Sequence, residues 1–109
     1  PRAVVRFTES GGVVTGRIVR VLPTRRYPNP TTTCDDCAAR YRGRDVTSYD
    51  LVTGMRWTGS EFSGGRIIDP ESGRTYRATM RLDGPDRLRV RGFVGIRALG
   101  RTQVWERTR

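Results

Sequence analysis

Apolar and polar residues alternate with a period of two along most of this chain, and Gly, Pro and Asp break the alternation at short intervals. Side chains two apart share one face of an extended strand, so the pattern specifies half-buried antiparallel strands. Seven stretches carry it: Ala3–Glu9, Val13–Leu22, Leu51–Thr58, Phe62–Asp69, Thr75–Leu82, Leu88–Val94 and Arg101–Arg107. Only Thr33–Gly43 has helical character. Thr33 suits a cap, Asp35 and Asp36 the first turn, Arg40 and Arg42 the last, and Gly43 the exit. The chain reads as one all-β domain over residues 1–109, with one short helix in the Pro23–Gly43 connection.

Registers follow from the turns. Gly11-Gly12 is a two-residue hairpin signal. Closing the strands there sets Phe7 against Gly16 and Val5 against Ile18 on one side, with Thr8 against Thr15, Arg6 against Arg17 and Val4 against Val19 on the other. A second hairpin needs Asp83–Arg87 as a five-residue loop, because a loop one residue shorter sets Met80 beside Arg89. Leu82, Met80, Ala78 and Tyr76 then face Leu88, Val90, Gly92 and Val94, while Arg81 faces Arg89 and Thr79 faces Arg91. Seven strands with two open edges invite association, and closing the meander into a barrel of about eight strands removes both edges. Such a barrel is either filled by side chains or just able to hold one small ligand. The inward set is Met55, Trp57, Phe62, Tyr76, Met80, Val90 and one of Val104 or Trp105, with Gly16 and Gly92 adding no bulk. Met55, Trp57, Tyr76, Met80, Val90 and Trp105 are therefore the candidates for lining a cavity. A filled core is the simpler alternative.

The chain carries 21 basic residues, all Arg, against 11 acidic ones, for a net charge of +10, and it has no His. Absence of His removes the usual catalytic triads, His-ligated metals and imidazole acid–base chemistry. Arg6, Arg17, Arg81, Arg89 and Arg91 fall on the outward side of their strands and form a candidate basic stripe for an anionic partner, whether envelope polymer, membrane surface or nucleic acid. A solvated basic face is the plainer reading. Tyr27, Tyr41, Tyr49 and Trp57 interleave with Arg, as base-stacking surfaces do. The alternation nevertheless turns Tyr76 inward and spreads Arg over several strands, which disfavours nucleic acid. No apolar run approaches the roughly 20 residues of a transmembrane helix.

Cys34-Asp35-Asp36-Cys37 is the most conspicuous motif. It is half a zinc site with nothing to complete it, since no other Cys and no His remain. As a redox pair it lacks βαβ surroundings, and the two carboxylates raise the thiol pKa values. A small-ring disulfide pinning the long connection in an oxidising compartment is the favoured reading. Asp69-Pro70-Glu71-Ser72-Gly73 supplies turn chemistry. No nucleophile–base pair is visible, so no catalytic residue, metal site or cofactor is assigned.

The chain also resembles the bacterial family of small exported proteins catalogued as domain of unknown function 2147. The likeness rests on Asn29-Pro30, the Cys34–Cys37 motif, Gly64-Gly65-Arg66-Ile67-Ile68-Asp69-Pro70-Glu71-Ser72-Gly73-Arg74-Thr75-Tyr76, Leu88 to Gly95 and Leu99 to Arg107, in matching order and spacing. The resemblance implies a lipocalin-like (calycin) barrel, exported to the periplasm or secreted. It implies a Gly-x-Trp strand preceding Pro1, whose Trp packs against an Arg near the chain's end, the place Arg107 occupies here. No activity comes with it. Together these readings point to a non-enzymatic protein that binds a small apolar or amphipathic molecule inside the barrel, with the outer Arg stripe as the alternative.

Overall fold

Alternating β-branched residues favour extended backbone, and the computed structural model, which describes residues 2–26, 28–29, 32–33, 42–69, 74–94 and 100–108, is a seven-stranded antiparallel meander. The strands are β1 (Arg2–Ser10), β2 (Val13–Leu22), β3 (Asp50–Trp57), β4 (Phe62–Ile68), β5 (Thr75–Leu82), β6 (Arg87–Phe93) and β7 (Arg101–Glu106). Each pairs only with its neighbours in sequence, in the order β1-β2-β3-β4-β5-β6-β7. Among the described residues the one helical turn is a 3₁₀ turn at Val46–Ser48, just beyond Gly43. Most of the span expected to be helical, residues 34–41, lies outside the described residues.

The second hairpin has the expected register, with Leu82↔Leu88, Met80↔Val90, Ala78↔Gly92, Arg81↔Arg89 and Thr79↔Arg91. Pairing ends at Arg77↔Phe93, so Val94 leaves the sheet and is 71% exposed instead of facing Tyr76. The first hairpin holds its expected register from Ser10↔Val13 to Val5↔Ile18. There the Thr8 and Thr15 hydroxyls lie 3.1 Å apart. A bulge between Val4 and Val5 then shifts Val4 onto Arg20. Val19, expected opposite Val4, is left without that partner and is 40% exposed.

Curvature comes from two glycines at one level of the sheet. Gly54 in β3 and Gly64 in β4 both take positive φ (70° and 79°), a conformation that costs glycine little and other residues more. They fall between the Thr53↔Arg66 and Arg56↔Ser63 pairs of adjacent strands. The ladders on either side shift register at the same level, between Val14 and Gly16 and between Phe62 and Gly65. Bulges of this kind bend a strand and increase its twist. The sheet coils into a half-barrel.

Seven of the roughly eight expected strands are present, and among the described residues the two edges of the half-barrel, β1 and β7, share no backbone pairing. The buried core follows the middle strands: Ile18 on β2, Leu51, Val52 and Met55 on β3, Ile68 on β4, Ala78 and Met80 on β5, and Val90 on β6.

Candidate ligand-binding trough

The inner face is built by the same alternation that builds the strands. In β5 and β6 the inward set is Tyr76, Met80, Leu88 and Val90, with Gly92 opposite Ala78. β7 continues this face, because Leu88↔Trp105, Val90↔Gln103 and Gly92↔Arg101 are partners. From the other side Val5 and Phe7 of β1 and Ile67 of β4 complete the wall. Together they surround an open trough of about 1970 Å³, larger than the roughly 300–1,000 Å³ of an enclosed small-molecule site.

Across the gap between β1 and β7 the inner side chains meet. The Phe7 and Trp105 rings lie 6.0 Å apart at a tilt of 32°, within the range in which aromatic pairs attract. Trp105 Nε1 donates to Gln103 Oε1 at 3.1 Å, which satisfies its polar edge. Phe7 in turn covers Gly16, where an added Cβ would lie 2.8 Å from the ring.

The two ends of the trough differ. At one end the strands are joined by the Gly11-Gly12 turn and by the short connections after Trp57 and after Leu82. The other end receives the long β2–β3 connection, the β4–β5 and β6–β7 connections, and the 3₁₀ turn. Val46 of that turn is buried against the trough, and its N–H donates to the Thr32 carbonyl at 2.7 Å. Asp45 caps the turn, accepting from the Thr47 hydroxyl at 2.7 Å and the Thr47 N–H at 2.9 Å. The Thr47 hydroxyl, then the Thr47 N–H and the Thr32 side chain, hold the Asp45 carboxyl below its ordinary pKa.

Of the six residues expected to line a cavity, Tyr76, Met80, Val90 and Trp105 stand on the trough wall. Met55 and Trp57 do not. Met55 is fully buried, its side chain occupying the space over Gly65, and belongs to the core. Trp57 is 54% exposed and packs its ring 5.0 Å from Phe62. The reason lies in β2, which begins at Val13 opposite Arg56 and so offers no neighbour alongside Trp57. Trp105, the partner of inward Leu88, is the inward residue of the two, whereas Val104 pairs with Arg89 and is 49% exposed. Sequence reasoning missed Val5, Ile67, Gln103 and Arg101 as wall residues. Extending the β6 alternation across to β7 would have found the last two.

The outer Arg residues form two groups, not one stripe. Arg6 and Arg17 are partners on β1 and β2, whereas Arg81, Arg89 and Arg91 lie on β5 and β6, with β3 and β4 between. Several are engaged within the chain. Arg17 pairs with Asp50 at 3.0 Å and Arg89 with Asp83 at 3.1 Å, and Arg91 donates to the Thr102 hydroxyl at 2.7 Å. Cys34 and Cys37, expected to form a disulfide, lie outside the described residues. Among the described residues no helix is long and apolar enough to cross a membrane.

The fold is shared with a solved structure. The chain superimposes on protein HP1028 from the human pathogen Helicobacter pylori, described as belonging to the lipocalin family, with a TM-score of 0.80. The alignment covers 98% of this chain and 73% of that one at 16% identity, so the likeness establishes a lipocalin-like fold. A search of curated proteins gave no match. The model of the family described as "Uncharacterized protein conserved in bacteria (DUF2147)" matches residues 1–107. With nearly the whole length matched and a half-barrel of the lipocalin kind, this chain belongs to the DUF2147 family of bacterial proteins.

Proposed function

We propose that this protein binds a small apolar or amphipathic molecule in the trough and is not an enzyme. The observation that carries the reading is the wall itself. Val5, Phe7, Ile67 and Trp105, each only partly buried, line open space above the buried Met80 and Val90, and apolar surface left uncovered is costly. The lipocalin-like fold agrees with this use, although fold alone does not assign function. The alternative, an anionic partner on the outer Arg residues, draws less support because Arg17, Arg89 and Arg91 already have partners in the chain.

The chain has two Trp residues, one on the trough wall and one outside it, so Trp57→Phe isolates a reporter. Titrating this variant with N-phenyl-1-naphthylamine is expected to quench Trp105 emission saturably, with one probe per chain. A linear, unsaturating response would reject the reading. We further propose that the protein works in the periplasm or is secreted, with Cys34 and Cys37 oxidised to a disulfide. The intact mass of protein recovered from its own cells is then two hydrogens below that of the reduced chain. A fully reduced mass would count against both statements.

A further inference from the structure

Charge is distributed unevenly along the trough. At the end with the tight hairpins the charged wall residues are Glu9, Asp86, Arg87, Glu106 and Arg107, with one more acid than base. At the end with the long connections they are, among the described residues, Asp69, Arg74 and Arg101, with one more base than acid. Arg101 is the residue of interest. It opens β7, and its partner on β6 is Gly92, which adds no side chain to the inner face. The nearest neighbours of a Cβ at Gly92 would be Tyr76 and Ile67, at 3.5 to 3.8 Å. Arg101 thus lines the trough where the apolar wall ends, opposite a residue without a side chain. Among the described residues no carboxylate forms an ion pair with it.

We infer that the trough takes a single-chain amphiphile with one anionic head, its head at Arg101 and its tail along Ile67, Leu88 and Trp105. The inference rests on the ligand-binding reading above and adds to it the chemical class and the direction of the ligand. An oxyanion accepts two parallel N–H bonds from a guanidinium, a geometry that an alcohol does not reproduce. From Gly92 to Leu88 the wall runs about 13 Å along β6, enough for a medium-length alkyl chain. A ligand entering head-first toward the other end would set its charge against the excess acid of Glu9, Asp86 and Glu106.

Calorimetric titration of the full chain with decanoate and with 1-decanol, which share a tail and differ in the head, tests this. Decanoate is expected to bind roughly tenfold tighter than decanol, and Arg101→Gln to reduce decanoate to the affinity of decanol while leaving decanol unchanged. Arg81→Gln, which removes a positive charge from the outer face, keeps the tenfold preference. If acid and alcohol bind equally and Arg101→Gln alters neither, the head-group inference fails and the apolar carrier stands. A preference that survives Arg101→Gln also overturns the inference. If neither compound binds, the carrier reading falls and takes this inference with it.

Discussion

Gly65→Ala is expected to destabilise the fold by roughly 3 kcal/mol or more, the upper end of the overpacking range, and to lower the melting temperature by about 15 °C. A Cβ at this position would collide with the Thr53 carbonyl oxygen and lie 2.7 Å from Met55 Sδ. The methionine can turn away, but the carbonyl belongs to the backbone of the adjacent strand and cannot move without opening the β3–β4 ladder. Gly92→Ala is the matched control, since its Cβ meets nothing closer than 3.5 Å and its stability stays within about 0.5 kcal/mol of the parent. Thermal melts of the two variants side by side decide the matter. Equal melting temperatures would mean that the close approach of β3 and β4 is not a constraint.

Met55→Ala is expected to cost about 2–5 kcal/mol, a large share of the roughly 5–15 kcal/mol that holds a domain folded. Met55 is completely buried beside Val52, which is also fully buried, so truncation leaves a cavity that the kinked strands around it cannot collapse to fill. Met55→Leu, close in volume, costs less than about 1.5 kcal/mol. Trp57→Ala makes the contrast sharp. It removes a larger side chain, one that is 54% exposed, and costs less than Met55→Ala. Urea unfolding of the three variants reads these differences, and a Trp57→Ala loss as large as that of Met55→Ala would refute the assignment of Met55 to the core.

Much of this fold was legible because short turns leave few ways to pair two strands. Gly11-Gly12 and the five residues Asp83–Arg87 each permit one register that keeps apolar side chains together, and both registers are found. The bend was not legible from period-two counting, which assumes a regular pleat. Gly54 and Gly64 break that pleat in adjacent strands, and a glycine inside a strand pattern is the signal that would have exposed them. Trp57 went astray for a different reason. Alternation assigns a face but not whether a neighbouring strand reaches far enough to cover it, and β2 does not. Arg101 was overlooked because a charged residue on an inner face contradicts the alternation rule, and such contradictions concentrate at functional sites.

The strictly sequential strand order also governs how the chain folds. Six ladders join seven strands, and five of them close across connections of modest length, the longest running from Phe93 to Arg101. Only β2–β3 must bring together segments separated by the long stretch from Leu22 to Asp50. Loop-closure entropy rises slowly with length, by about 0.6 kcal/mol per doubling, but it is spent before the paired strands return any contact energy. The β1–β2 hairpin and the β3–β7 sheet are therefore expected to form as separate local units, with their docking across that stretch as the slow phase in stopped-flow refolding. In the folded chain the Thr32–Val46 hydrogen bond and the Thr33–Asp45 bridge tie together two points of that connection, just before the 3₁₀ turn at the end of the trough.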